Sequence, residues 1–332
     1  MTNILITGGA GYIGSHAARL FLEKGYKVTI LDNLSTGFQK AIDVLKQFGD
    51  LEYKNADIRD FEAVSKIFSE GSFDCVLHFA ALASVSGSLK DPHDYFSTNV
   101  FGTLNLIEAC KNNNVNKFIF SSSCAVYGES VYLPIDENHP KNPTTPYGET
   151  KVMSEKILDW YSNLFGISCV SFRYFNVCGA SEDGKIGDSK HPSVHLMQNA
   201  VMGALNIEPF KLTCPSAETG DGTPVRDYVD VNDLADAHQL AYEYLSKGGK
   251  SEAFNIGSGK GISVLQLVSE VEKEMGVKLP REQGEVRQGE YSKVHASLEK
   301  TEKALGWKPK RSLKDSINSL KAWYTKNPTR FL

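Results

Sequence analysis

Short apolar runs punctuate the first half of the chain: NILITGG from residue 3, KVTILDN from 27, LEYKNADI from 51, CVLHFAA from 75, KFIFSSS from 117 and SCVSFRYFN from 168. Each is rich in Val, Ile and Phe, too short for a helix, and closed by a polar or glycine-bearing turn, so each reads as a buried strand. Helical patterns fill the intervals. Strand and helix alternating at this spacing predict a parallel sheet with helices on both faces, a Rossmann-type doubly wound α/β fold. Ligands of such a sheet bind at the carboxyl ends of the strands.

The alternation breaks near residue 178, where CGASEDGKIGDSKHPSVH forms a long polar loop. VNDLADAHQLAYEYLSKGG then predicts an amphipathic helix capped by Asn or Asp, and FNIGSGKGISVLQLVSEVEKEMG a strand, a glycine turn and a helix ending at Gly276. LGWKPKRSLKDSINSLKAWYTKNP predicts a turn and a final helix. The expected division is a dinucleotide-binding domain over residues 1–177, to which part of the C-terminal half returns, and a smaller α/β substrate lobe over 178–332.

Composition narrows the partners. The chain has 332 residues and a formal net charge of -4, with Lys and Arg scattered, so neither nucleic acid nor an anionic membrane surface is expected to bind it. No run of 18 apolar residues suggests a membrane span, and the first strand starts too early for a secretory leader. The six cysteines form no CxxC pair, as expected of reduced thiols in a cytoplasmic protein.

ITGGAGYIGSH follows the first strand and opens a helix, with Gly9, Gly11 and Gly14 as G-x-G-x-x-G and Gly8, Gly11 and Gly14 as G-x-x-G-x-x-G. Glycines there let the backbone turn tightly, approach a pyrophosphate, and aim the helix N-terminus at its charge. The next strand ends in Asp32, whose carboxylate suits the ribose hydroxyls of NAD and repels the extra phosphate of NADP. A second constellation is Ser123, at the end of a serine-rich strand, followed by Tyr147 and Lys151 in TPYGETK. The spacing of four puts phenol and ammonium on one helical face. A free phenol titrates near 10, so a tyrosine base near neutrality needs a depression of about 3 units, roughly 4 kcal/mol, which Lys151 and a cationic cofactor ring are expected to supply. His191 and His195 are also four apart, but Pro192 and the lack of a third suitably spaced ligand argue against a metal site. Cys124 lies next to Ser123 without a neighbour that would make it nucleophilic.

Taken together, the glycine loop, DNLSTG, ADIRD, HFAALASV, NVFGT, SSSCAVYG, YGETK and RYFNVCGA resemble the extended short-chain dehydrogenase/reductase family, and DGTPVRDYVDVNDLADAH resembles its UDP-glucose 4-epimerase branch. The resemblance spans nearly the whole chain. It implies an NAD-dependent isomerase that epimerises UDP-sugars at C4, with Ser123, Tyr147 and Lys151 as catalytic residues and a homodimer as the assembled form. It assigns the cofactor to Gly8, Gly11, Tyr12, Ile13 and Gly14, to Asp32, Asn33 and Ser35, and to Asp57 and Ile58 at the adenine. Phe79, Ala80 and Ala81 would line the pyrophosphate side, Asn99 would order the surrounding loops, and Tyr174 would approach the nicotinamide beside Tyr147 and Lys151. The substrate falls to Ser123, Tyr147, Asn176, His195 and Leu196, with Arg226 and Arg287 on the diphosphate, for which a planar guanidinium is suited.

Three positions depart from that pattern. Ala83 stands where many such epimerases have lysine, the loop LTCPSAETGDGT lacks the usual glycine and aromatic residues, and Glu290 replaces an aspartate on the uridine ribose. Val294 is expected to border the sugar, where some relatives acting on plain hexoses have tyrosine. The stretch EYSKVHAS also reads as an ordinary strand with Val294 facing the core. Two other activities fit the same fold: a nucleotide-sugar dehydratase or decarboxylase, and a non-catalytic NAD-sensing regulator. Dehydratases carry an acidic pair where this chain has Cys124 and Ala125, and regulators commonly lose the Tyr or Lys retained here.

Overall fold

The computed structural model describes residues 2–286 and 291–332. Its strands are β1 (Asn3–Thr7), β2 (Lys27–Leu31), β3 (Leu51–Lys54), β4 (Cys75–His78), β5 (Lys117–Ser123), β6 (Ser168–Tyr174), β7 (Asn176–Cys178), β8 (Val225–Asp230), β9 (Glu252–Ile256) and β10 (Gly261–Ser263). A parallel sheet runs β3-β2-β1-β4-β5-β6-β9. The strand runs of the sequence read as continuous rather than alternating because both faces are covered. In β1, Ile4 and Ile6 enter one core and Leu5 the other. Helices Tyr12–Glu23 and Val231–Ser246 close the first face, Phe61–Glu70 and Gly102–Asn112 the second.

The chain returns to this sheet late. Strand β9 pairs with β6 from Val170 opposite Glu252 to Tyr174 opposite Ile256. Strands β7, β8 and β10 form a separate small sheet, and β10, which the sequence reads only as a glycine turn, runs antiparallel to β8. A further core lies beneath it, built from helices Leu196–Ala204, Val264–Met275 and Leu313–Lys326. The expected helix boundaries have visible causes. Asp230 accepts from the Asn232 backbone NH, Ser263 and Ser312 make capping boxes with Gln266 and Asp315, and Gly276 takes the left-handed conformation that ends its helix (φ 69°). No helix among the described residues is long and apolar enough to cross a membrane.

Candidate active site

A cleft of about 600 Å³ opens at the carboxyl ends of β1, β2, β4, β5 and β6. The glycine loop forms its floor. Gly8 is left-handed (φ 72°), and a Cβ there would sit 2.5 Å from the Ala80 backbone nitrogen. A Cβ on Gly14 would sit 2.2 Å from the Gly8 carbonyl oxygen, so both positions require glycine. Gly11 is different: apart from the Gly8 carbonyl at 3.3 Å, its Cβ direction is open. A bare backbone at the start of helix Tyr12–Glu23 is what a close-lying diphosphate needs. Asp32 follows β2 and is 8% exposed, with one carboxylate oxygen accepting from Ala10 N and the other from Leu34 N. Burial pushes its carboxyl up, against those two hydrogen bonds. These residues fit the adenosine half of NAD.

Ile13, Asn33, Ser35, Asp57 and Ile58 line the same end. Asn33 donates to Asp57, which also pairs with Arg59 at 2.8 Å. Phe79, Ala80 and Ala81 form the adjoining wall. Asn99 lies outside the cleft and acts on that wall from behind. Its amide accepts from Leu82 N and donates to Leu82 O and Thr150 Oγ1. Thr103 donates to Asn99 O, so His78 donates from Nε2 to Thr103 and accepts at Nδ1 from Thr7. Burial lowers His78 to about 3, keeping it neutral in this chain of bonds.

The catalytic candidates meet over the sheet. Thr145 caps helix Pro146–Phe165, which carries Tyr147 and Lys151 past the end of β5, where Ser123 sits. Ser123, Tyr147, Lys151 and Tyr174 all line the cleft. The Lys151 Nζ is 5.8 Å from the Tyr147 ring centroid and donates to Ser121 O at 2.8 Å. The expected acidification by Lys151 is not found in the chain alone. Burial pushes the Tyr147 phenol up to about 12, and its hydrogen bond with Ser123 pulls only partly back. Burial also lowers Lys151 to about 7, so its ammonium is half discharged near neutrality and makes a weak source of positive potential. The Tyr174 hydroxyl is held by His238 Nε2 at 2.6 Å.

Sequence reasoning missed what fixes the catalytic helix. Glu155, one turn beyond Lys151, accepts from Ser122 Oγ at 2.7 Å, from Arg173 Nε and Nη2 at 2.9 and 2.8 Å, and from Lys141 Nζ at 3.2 Å. A Glu on the Tyr147 and Lys151 face and an Arg inside an apolar strand run were the available signals. Asp227 was also missed. It is fully buried and accepts from Ser258 Oγ, Gly259 N and Ala296 N, tying the glycine turn to the segment just beyond Val294.

On the other side of the cleft lie Asn176 at the start of β7, Arg226 in β8, and His195 at the N-cap of helix Leu196–Ala204. Tyr12 bridges the two sides: it donates to Gly179 O at 2.5 Å, and its ring lies 5.8 Å from that of His195. Leu196 packs against the core of the small sheet and does not line the cleft. Arg287 and Glu290 fall outside the described residues. Val294 both faces the core and lines the cleft, but its segment makes only isolated bridges, at Lys293 and Ala296, and is not the ordinary strand the sequence also suggests. It is 4% exposed, packs with Val126, Tyr127, Ile135 and Phe175, and lines the cleft beside Tyr291.

Residues 4–257 match the profile of the NAD dependent epimerase/dehydratase family, and the chain belongs to that family. It is 42% identical over 330 residues to the UDP-glucose 4-epimerase of Lacticaseibacillus casei, across 99% of this chain and 98% of that one. The solved UDP-glucose 4-epimerase of Bifidobacterium longum in complex with NAD+ and UDP superimposes with a TM-score of 0.93 at 34% identity, covering 99% of both chains. That of Stenotrophomonas maltophila, with bound NAD and formylated UDP-arabinopyranose, gives 0.93 at 34% identity over 98% of both chains.

Proposed function

We propose that the protein is an NAD-dependent isomerase that interconverts UDP-sugars epimeric at C4. The observation that carries this reading is the meeting of Ser123, Tyr147 and Lys151 in the cleft floored by the glycine loop. Gly8 to Gly14 and Asp32 hold the dinucleotide, with Asp57 and Ile58 at its adenine end. When bound, NAD supplies a reversible two-electron oxidant for the sugar carbinol and, through its cationic ring, the positive charge that Tyr147 lacks in the chain alone. Tyr147 Oη then takes the proton of the 4-hydroxyl and later returns it, while Ser123 hydrogen-bonds the same oxygen. Lys151 holds the helix end against Ser121 and shares in that proton balance. Asn176, His195 and Arg226 grip the UDP moiety, so the sugar is held less firmly and can present either face. In this reading residues 1–177, with the returning helix Val231–Ser246 and β9, form the cofactor domain, and the rest of 178–332 is the substrate lobe.

UDP-galactose incubated with the purified protein, without added NAD, is expected to yield UDP-glucose. Tyr147→Phe should lower that turnover on the order of a hundredfold or more while leaving NAD bound. Turnover near the unaltered level in this variant would remove Tyr147 from the reaction.

A homodimer is part of the same proposal. Phe101, Met153, Trp160, Leu164 and Phe165 are exposed, Trp160 at 65%, and on helix Pro146–Phe165 they recur at helical spacing. A second copy offering the same helices would cover them. Sedimentation at micromolar concentration showing only monomer would contradict it.

A further inference from the structure

The cleft wall contributed by residues 187–190 has no task in the account above. Ser189 lines the cleft and is 3% exposed, yet its hydroxyl has no hydrogen-bond partner among the described residues. A buried hydroxyl left unpaired keeps its desolvation penalty unrelieved until an acceptor such as a ligand oxygen meets it. Lys190, half-buried in the same wall, contrasts with the other lining cations. Arg59 is paired with Asp57, Lys151 donates to Ser121 O, and Arg226 donates to Val225 O. Among the described residues no hydrogen bond or ion pair occupies the Lys190 ammonium, and only its backbone NH is engaged, by Asp188 Oδ1 at 3.0 Å.

The segment is also held rigidly from behind. The Asp188 carbonyl accepts from Trp323 Nε1 and Tyr324 OH, both at 3.3 Å, and its carboxylate accepts from Ser193 Oγ at 3.2 Å. A Cβ on Gly187 would meet the Trp323 ring at 2.5 Å, so the backbone lies flush on the C-terminal helix. The cleft lining also includes Phe331, whose ring is 5.3 Å from Lys40 Nζ. Leu82, Ala83 and Ser84, which also line the cleft, offer no cation.

We propose that Ser189 and Lys190 form a preorganised diphosphate-binding element, the hydroxyl donating to a phosphate oxygen and the ammonium pairing with its charge. The inference rests on the NAD and UDP-sugar reading, since both molecules bring a diphosphate ester into this cleft. Two binding measurements separate the sources: the rate at which NAD(H) leaves the protein as purified, followed by its absorbance and fluorescence after dilution, and the affinity for UDP by calorimetry. Ser189→Ala and Lys190→Gln should each weaken one of the two on the order of tenfold. The Lys190→Gln deficit should shrink as salt is raised, because that contact is a charge pair at a half-buried site. A change confined to NAD assigns the element to the cofactor, and one confined to UDP assigns it to the substrate. Variants that bind both compounds within twofold of the unaltered protein overturn the element while leaving the function standing. Failure of the unaltered protein to bind either compound overturns both.

Discussion

Replacing Glu155 by glutamine tests how the catalytic helix is fixed. Glu155 is 3% exposed and Arg173 4%, so the pair is inside the protein. Burial alone would push the Glu155 carboxyl up, but the Arg173 fork outweighs it and holds the group below its usual range. The amide in Glu155→Gln would keep the shape, remove the charge, and turn an NH2 group toward donors on Arg173 or Lys141. Arg173 would keep the amide oxygen, Tyr127 OH at 2.9 Å and Glu137 O at 3.2 Å as acceptors, but no opposing charge. Leaving one member of a buried pair uncompensated costs roughly 3–5 kcal/mol. With an m-value of about 3 kcal/mol/M, the urea midpoint should fall by about 1 to 1.7 M. Combining Glu155→Leu with Arg173→Met should recover much of that loss, because the one charge left unpaired, that of Lys141, is partly exposed to water. Unfolding followed by far-UV circular dichroism reads both. A loss below about 1 kcal/mol for Glu155→Gln would refute the reasoning.

Two further outcomes follow from the site. Lys151 is depressed by burial to about 7, so between about pH 7 and its ordinary 10.5 the unfolded chain holds a proton that the folded chain lacks, and stability from this group rises with pH across that window. Lys151→Met should therefore stabilise the protein most at pH 7 and below, with the gap in urea midpoints narrowing toward pH 10; a constant gap contradicts the assignment. Val294→Tyr fills a cleft wall already packed by Val126 and Phe175, and should slow epimerisation of UDP-N-acetylglucosamine more than that of UDP-glucose, by roughly 5- to 150-fold. Equal slowing of both sugars, or no activity of the unaltered protein on the acetylated one, would show that Val294 is not the selecting wall.

Local patterns carried the parts of the fold that are local. The first strands, the glycine loop, the cap at Gly276 and the Tyr147 to Lys151 spacing were legible because each is set by neighbours in sequence. What escaped depends on distant pairing. The Tyr12 hydroxyl meets Gly179, and Asp227 meets Ala296, only once the sheets have formed. Arg173 stands in an apolar strand run, and its partner Glu155 comes from another element that only the fold brings to it. The electrostatics of Tyr147 could not be read from spacing at all. The four-residue interval aligns Lys151 with the phenol, but it does not reveal that burial raises one group and discharges the other.

The most direct test of the central claim follows the hydrogen at C4. UDP-galactose carrying deuterium at that carbon is incubated with the purified protein in ordinary water, and the UDP-glucose formed is examined by NMR and mass spectrometry. Transient oxidation by a cofactor that stays in the cleft predicts product that keeps the deuterium at C4, with no NAD added. Loss of the label to solvent, or no UDP-glucose formed, would contradict the account.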